Sequence, residues 1–308
     1  MTFNLLKDPN ARVSALRAGS VDMIYSVPTQ NVDDLSKRKG LRVVQSPETR
    51  TIFLALDQGS DELVGSSVKG KNPFRDLRVR QALQFAIDRE AIKTKIMRGF
   101  SLPNTLVVGP GINGYDAALN KPGKPDYAAA KKLLTDAGYP DGFEVAMECP
   151  NNRYVNDEQI CVAVVGMLAQ IGVKVKLTAM PMSLYGAKIS PPGYGAASIA
   201  FVGWAPTTYD AHNTIFSLFM PRKADIRQGL FNFHNNNFPE LERLGLTMGG
   251  ETDLAKRNAL IREGLVYIRD NVLALPLHQQ VVLWATKDNV KLVQRADNYF
   301  PLRSVRVE

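Results

Sequence analysis

The side chains that most often carry catalysis or bind metals are few in this sequence, and they stand far apart. The three histidines are at positions 212, 234 and 278, and the two cysteines are Cys149 and Cys161. Two thiols cannot form a structural zinc site by themselves, and no histidine lies near them at ligand spacing. The H-E-x-x-H, G-x-S-x-G and P-loop patterns are also absent. We therefore expect no enzyme, no metal site and no cofactor.

One pattern that is typical of nucleotide binding does occur, as G-x-G-x-x-G at residues 109–114. Its function requires a strand before it and a helix that opens on it, so that backbone amides meet a pyrophosphate. Here Pro110 removes one amide, and two further prolines follow before residue 126. The segment is therefore predicted to be a loop.

Composition and charge indicate an ordinary globular protein. The 308 residues are 45% hydrophobic and 22% charged, with a formal net charge of +8. Basic residues are interspersed with acidic ones and form no stripe with aromatics, so we expect no nucleic-acid partner. No apolar run approaches the roughly 18–20 residues that span a bilayer. The first residues also lack the basic and apolar regions of a signal peptide.

The elements that must position any functional side chain alternate along the chain. Residues 1–57 predict strands at 2–6, 21–26, 41–45 and 51–56, with helices at 10–18 and 32–39. Strands separated by helices indicate parallel pairing. Apolar spacing predicts a helix pair at residues 77–99, with Asp88 capping the second helix. A further helix is predicted from Asp126 to Gly138.

A β-α-β unit is predicted in residues 143–177. A strand at 143–149 leads to a helix at about 156–171, capped by Asn156, and a second strand starts at Val173. Cys149 ends the first strand and Cys161 lies early in the helix, so their α-carbons can approach disulfide range. The residues alone leave a disulfide and a buried pair of thiols open.

Three segments resemble one protein family in their wording and order. Residues 73–92, PFRDLRVRQALQFAIDREAI, are similar to D-x-R-V-R-x-A-L/I-x-x-A-I-D/N-R. Residues 126–143 are similar to the block that ends in A-G-Y/W-x-x-G-F/Y, and residues 12–22 resemble R-x-x-x-L-x-x-G-x-x-D. Together they resemble the family 5 extracytoplasmic solute-binding proteins, the peptide, nickel and opine receptors of ABC importers.

This resemblance implies an α/β fold of the type II periplasmic-binding-protein kind, with two lobes and an incomplete first lobe. Residues 1–57 would be the later part of lobe I, 58–280 lobe II, and 281–308 the return to lobe I. Members are longer, so roughly two hundred N-terminal residues, signal peptide included, would be missing. The resemblance also implies a periplasmic or extracytoplasmic location, which favours the disulfide, and membrane permease subunits as partners.

The resemblance places ligand contacts in residues 201–213, similar to the family's G-W-x-x-D-x-x-D-P-x-N loop. Trp204 would form an aromatic wall of the site or pack in the core behind the loop, and Tyr209 lies in the same loop. In peptide receptors of the family, the acid three residues after the tryptophan holds the peptide's α-ammonium; here that position is Thr207. Asp210 matches the later acid, which is more often structural.

Three residues outside this loop are further candidates for solute contacts. Arg50 precedes a buried strand at the lobe junction, where it would bind an acidic group of the solute or form a surface or interlobe ion pair. His278 and Gln280 lie where the chain should cross back between lobes. The expected function is a receptor for di- or oligopeptides. The alternative is the same receptor class for a nickel complex, opine, sugar or other small molecule, and a hydrolytic enzyme or basic interaction module is a distant alternative.

Overall fold

A seven-stranded mixed sheet runs through the computed structural model, which describes residues 2–190 and 194–308. Its strands follow the order β1-β7-β2-β6-β4-β5, with β3 paired to β7, and a two-stranded sheet joins β8 to β9. The strands are β1 Met23–Tyr25, β2 Leu41–Leu56, β3 Ser101–Pro103, β4 Phe143–Pro150, β5 Val173–Met180, β6 Ile199–Trp204, β7 Ala274–Lys287, β8 Val290–Leu292 and β9 Val305–Val307.

Ten α-helices pack on this framework within the described residues. They are α1 Pro9–Arg17, α2 Val32–Lys37, α3 Leu77–Ala86, α4 Arg89–Ala91, α5 Tyr127–Asp136, α6 Asp157–Ala169, α7 Met182–Ile189, α8 Ala211–Leu218, α9 Pro239–Gly250 and α10 Leu254–Asp270. A π-helical turn, Ile92–Ile96, continues α4, and 3₁₀ turns occupy Thr29–Asn31, Pro73–Arg75 and Leu302–Ser304. None of the helices in these two ranges combines the length and apolar character that a membrane crossing needs.

Two long antiparallel strands connect the two ends of the sheet. The first half of β2 pairs with residues 281–287 of β7, and its second half pairs with β6 and with residues 274–279 of β7. The register shifts between Pro47 and Thr51. The predicted strands at 41–45 and 51–56 are therefore one 16-residue strand with an irregularity in the middle.

The predicted parallel pairing of the N-terminal strands is wrong, since β1 and β2 pair antiparallel with β7. Their partner strand comes more than 200 residues later in the chain, which local alternation cannot reveal. Residues 2–6 form no strand. The β-α-β prediction is confirmed, because β4 pairs in parallel with β5 across α6.

Separate cores support the two ends of the sheet. At one end, α1 and α2 place Val13, Leu16 and Leu35 against Leu283 of β7. At the other end both faces are covered. One face carries α3, α5 and α6, and the other carries α8, α9 and α10. Strands buried on both faces read as continuous apolar runs, which explains the sequence of β6.

The segment at residues 73–92 attaches the helices α3 and α4 to β7 and to the end of α10. Asp76 and Asp88 cap α3 and α4 by accepting backbone N–H bonds. Arg80 donates to the backbone oxygen of Asn271, at the end of α10. Arg89 donates to the backbone oxygen of Pro276 at 2.7 Å, inside β7. Burial lowers the pKa of each arginine to about 10. The two arginines of the segment thus stabilise the start of β7 by hydrogen bonds.

The Cys149 and Cys161 sulfurs form a disulfide, with α-carbons 6.6 Å apart. The predicted capping of α6 by Asn156 is wrong in its mechanism. Asn156 occupies the cap position with a left-handed backbone and makes no capping bond. Its amide donates instead to the backbone oxygen of Ile96 and the hydroxyl of Thr29, and so ties α6 to two other segments.

Candidate functional site

The carboxyl ends of β4, β5 and β6 lie at one edge of the sheet. The three strands are parallel, so the segments that follow them emerge side by side. Open α/β sheets bind ligands at such edges. The register break of β2 lies against the same edge, because Thr51 pairs with Trp204, the last residue of β6. We call residues 48–50, 151–154, 203–210 and 279–280 the cleft edge.

A closed polar network forms the floor of the cleft edge. Glu48 is buried, and its two carboxylate oxygens accept from Arg50 Nε at 3.1 Å and Gln280 Nε2 at 2.7 Å. Arg50 also donates to the Gly203 backbone oxygen at 3.3 Å. A buried carboxylate needs such partners to remain charged. Two predicted site residues, Arg50 and Gln280, are thus brought together by an acid that sequence reasoning did not single out.

The segment after β4 adds Arg153 and Tyr154 to this edge. The Tyr154 ring lies 5.8 Å from the Arg50 guanidinium carbon and 5.2 Å from that of Arg153. The backbone N–H groups of Arg153 and Tyr154 donate to the Asp157 carboxylate at 2.8 and 3.0 Å, and these bonds fix the segment. Burial raises the pKa of Asp157, although these backbone bonds oppose the shift.

Sequence reasoning missed both Arg153 and Tyr154. The available signal was the polar run NNRY directly after a strand of a predicted parallel unit. Residues at the carboxyl end of such a strand belong to the binding edge of the sheet.

Trp204 is half-buried at the end of β6 and packs on Phe231, with ring centroids 4.9 Å apart. Its indole N–H is buried and has no hydrogen-bond partner among the described residues. Thr207 is exposed in the turn that follows. Across residues 2–190 and 194–308, no hydrogen bond involves the Thr207 hydroxyl. Trp204 therefore presents an apolar ring at this edge, and Thr207 a small, uncharged side chain.

Asp210 lies at the start of α8, and its carboxylate is fully engaged. It accepts from the His212 backbone at 2.9 Å and from Arg257 at 2.7 and 3.0 Å. Asn113 donates to it as well, at 2.9 Å. Burial alone would raise the pKa of Asp210, but the Arg257 and Asn113 hydrogen bonds outweigh it and lower that pKa. These contacts hold α8 to α10 and to the loop at Asn113.

Tyr209 precedes Asp210 with a left-handed backbone and is 38% exposed. Its ring lies beside the C-terminal segment. Burial raises the pKa of Tyr209, and the neighbouring carboxylate of Asp297 adds to that rise. The same segment reaches the register break, where the Thr49 N–H donates to the backbone oxygen of Ala296 at 2.8 Å.

His278 is placed inside the sheet and not on the cleft. It is fully buried in β7 between Ile52 and Pro103 of the adjacent strands. Neither ring nitrogen has a partner among the described residues. Burial lowers the pKa of His278 to about 4, so the neutral ring is favoured. Of the seven predicted site residues, His278 is thus separated from the others.

Tyr25 ends β1 and lies opposite Trp284 of β7 in the strand register. Its ring packs on Trp284, with centroids 4.6 Å apart, and its hydroxyl accepts from Asn298. Burial raises the pKa of Tyr25, and the charges of Arg50 and Arg153 oppose that rise.

An open depression of about 410 Å³ lies beside this edge, next to the Asp210–Arg257 pair. Thr208, His212, Asn213 and Phe216 complete its lining. The described residues contain no group of three or more histidine, cysteine or acidic side chains that could hold a metal ion.

The sequence profile described as "Bacterial extracellular solute-binding proteins, family 5 Middle" matches residues 1–225. The chain belongs to this family. Family 5 relatives include the glutathione-binding protein GsiB of Salmonella typhimurium, 29% identical over 238 residues, and that of Shigella flexneri, 27% identical over 221 residues. These matches cover 77% and 71% of the chain, but only 44% and 40% of the relatives. The chain thus spans less than half of their length.

Solved structures of solute-binding proteins share the family 5 fold. DppA of Helicobacter pylori in complex with the peptide STSA superposes with a TM-score of 0.81 at 23% identity, over 98% of this chain and 56% of that one. NikA of Staphylococcus aureus in complex with Ni(L-His)2 superposes with a TM-score of 0.80 at 18% identity, over 98% of this chain and 61% of that one. The predicted α/β, two-lobed periplasmic-binding-protein fold is confirmed. The lobe boundaries at residues 57 and 280 stay predictions.

Proposed function

We propose that this chain is part of a solute-binding receptor of an ABC importer, and that its solutes are di- or oligopeptides. Family membership supports the receptor class. The names of similar proteins support the solute class, since they include a dipeptide-binding protein in complex with Met-Leu and AppA of Bacillus subtilis in complex with a nonapeptide. The observation that carries the proposal is the cleft edge, where Arg50 lies beside the Tyr154 ring and Trp204 ends the neighbouring strand, next to the strands that join the two ends of the sheet.

The two long strands, β2 and β7, would allow the receptor to close on its solute. β2 and β7 pass through both ends of the sheet, and their register shifts at residues 47–51. A break in regular pairing is where a small backbone change can rotate one end against the other, as in hinge closure. Tyr154 and Trp204 would form flat walls around the solute, and the Glu48 network would remain as a preformed floor.

The receptor would act without covalent chemistry. It would act outside the cytoplasm and would pass its solute to permease subunits in the membrane. The Cys149–Cys161 disulfide supports that location, because disulfides persist in oxidising compartments.

A tryptophan titration tests the solute class. The chain has two tryptophans, so Trp284→Phe leaves Trp204 as the only reporter. We expect Met-Leu and a tetrapeptide to change its fluorescence with saturation, while a nickel–histidine complex and agropinic acid do not. A saturable response to one of those two alone would favour the non-peptide alternative. Cleavage of a peptide or ester panel above background would contradict the receptor reading.

A further inference from the structure

The register break of β2 leaves one buried backbone group outside the ladder of the sheet. Residues 48–50 of β2 lie opposite Gln280 alone, between the paired positions on either side. Thr49 is in this interval and is 2% exposed, so its backbone N–H needs a partner. That partner is the backbone oxygen of Ala296, at 2.8 Å, in the segment between β8 and β9. A distant part of the chain thus completes the hydrogen bonding of the break.

We call residues 294–298 the strap. Both of its ends are attached near the β1 end of the sheet. The side-chain amide of Gln294 donates to the backbone oxygen of Val282 in β7, at 3.1 Å. The side-chain amide of Asn298 donates to the hydroxyl of Tyr25, the last residue of β1.

Between these attachments the strap reaches the loop that follows β6. Arg295 donates to both carboxylate oxygens of Asp297, at 2.9 and 2.5 Å. The Tyr209 hydroxyl lies beside this pair. Arg295 is the main cause of a lowered pKa of Asp297, and the neighbouring Tyr209 hydroxyl contributes to it. Tyr209 is held in its own loop, because its backbone oxygen accepts from the Asn113 N–H at 2.9 Å.

Left-handed backbone occurs at or beside each of these contacts. Tyr209 has φ 56° and Asn298 has φ 58°, and Ser26, which follows Tyr25, has φ 58°. Residues other than glycine pay free energy in this region and persist where surrounding contacts fix them. Such residues concentrate at ligand clamps and switch segments. The strap and its partners are therefore held by their contacts and not by local preference.

We infer that the strap restrains the hinge: while Asp297 contacts Tyr209, the loop after β6 and the β1 end of the sheet keep one relative orientation. The strap spans the β2 register break, where the two ends of the sheet can rotate. Rotation therefore requires the Tyr209–Asp297 contact to break. One step rests on the proposed function: the contact is made with and without solute, so it slows solute entry and release equally.

Amide hydrogen exchange of the whole chain tests the restraint without any solute. Tyr209→Phe removes only the hydroxyl beside Asp297. We expect it to raise the exchange rate of the Thr49 N–H about tenfold, the effect of losing one hydrogen bond to a charged group. Tyr299→Phe is the matched control, because it makes the same change two residues beyond Asp297, where the side chain is 67% exposed. It should leave the rate unchanged.

Asn298→Gly tests the strap at its attachment to β1. Glycine adopts the left-handed backbone without strain, so this variant keeps the turn and removes only the amide that contacts Tyr25. We expect faster exchange of the Thr49 N–H in this variant as well. Circular dichroism spectra equal to that of the native chain exclude unfolding as the cause.

Stopped-flow fluorescence with Met-Leu tests the consequence for solute exchange. Because the contact is made before and after binding, Tyr209→Phe should raise the association and dissociation rate constants about tenfold each. The Kd should then change by less than about threefold. Loss of a direct solute contact has a different signature, since it raises the dissociation rate constant and the Kd together.

The outcomes separate this inference from the receptor proposal. If Thr49 exchange is unchanged in Tyr209→Phe, or equally fast in Tyr299→Phe, the restraint is wrong and the receptor proposal stands. If the Kd rises with the dissociation rate constant alone, Tyr209 is a solute contact and the inference is again wrong. If exchange accelerates as expected but Met-Leu does not bind at millimolar concentration, the restraint stands and the peptide proposal is overturned.

Discussion

Removing the disulfide should destabilise the fold by an amount that follows from its loop. Cys149 and Cys161 are 12 positions apart. Cross-linking a loop of that size lowers the entropy of the unfolded chain by about 10 cal/mol/K, which stabilises the fold by about 3 kcal/mol at 25 °C. Both cysteines are fully buried in the core beside β4. Cys149→Ala/Cys161→Ala removes the cross-link together with two buried sulfur atoms, whereas reduction of the native chain removes the cross-link alone.

Urea unfolding followed by circular dichroism measures this loss. A change of about 3 kcal/mol corresponds to a midpoint lowered by about 1 M or more at ordinary m-values. A reducing agent should lower the midpoint of the native chain by the share that belongs to the cross-link, and should not change the midpoint of the double variant, which controls for other effects of the reductant. Thiol titration of the unfolded, unreduced chain should find no reactive thiol.

Two reactive thiols in that titration would refute the disulfide itself. An unchanged urea midpoint in the double variant would refute the loop argument. The segment within the loop carries Arg153 and Tyr154, which Asp157 also fixes. We therefore expect amide exchange at residues 151–156 to rise only modestly on reduction, because the Asp157 bonds remain.

Three further predictions concern buried polar groups. Since burial lowers the pKa of His278 to about 4, the unfolded chain binds a proton near pH 6.5 that the folded chain refuses. The free energy of unfolding should therefore fall as the pH drops from about 6.5 to about 4, by roughly 3 kcal/mol from this residue, and His278→Leu should remove that share in urea titrations at each pH. Arg89→Leu should lower the free energy of unfolding, measured in urea, by about 3 kcal/mol, since two buried carbonyls lose their donor. Asp210→Asn should cost about 1–3 kcal/mol, because Arg257 loses its charged partner.

Each of these has an outcome that contradicts it. The same pH slope in His278→Leu as in the native chain would show that other groups cause the loss. Full stability of Arg89→Leu would mean that water replaces the guanidinium. If Asp210→Asn weakened peptide binding without lowering stability, Asp210 would be a solute contact and not a structural one.

Local signals account for what the sequence predicted correctly. Capping aspartates and 3.6-residue spacing located α3, α4 and α5 within a few residues. Parallel β4 and β5 followed from the short strand–helix–strand pattern. By contrast, the β2–β7 pairing joins residues more than 200 positions apart, and nothing in either strand's alternation specifies its partner. The irregularity at residues 47–51 was equally invisible, because it arises from that pairing.

The site divides in the same way. Trp204 was predicted from the family's loop pattern, and Arg50 and Gln280 from their positions along the chain; the structure brings Arg50 and Gln280 together. The position of His278 in the crossing strand was also foreseen, but the direction of its side chain was not. Side-chain direction depends on the register of β7 against β2, and one step in register turns a residue to the opposite face.

The two charged parts of the cleft edge are the Glu48 network and Arg153, and they differ in how well the fold tolerates substitution. The Glu48 network is buried, and replacing any member leaves another without its partner, at a cost of about 1–3 kcal/mol. Under the proposed function it would be a preformed support for the solute, in which Arg50 Nη2 is a charged donor that makes no hydrogen bond among the described residues. Arg153 and Thr207 are exposed, and their side chains make no hydrogen bonds among the described residues, so substitution there costs the fold little. Under the proposed function, selection among solutes would therefore change by substitution at the rim, while the Glu48 network, which the fold requires, stays unchanged.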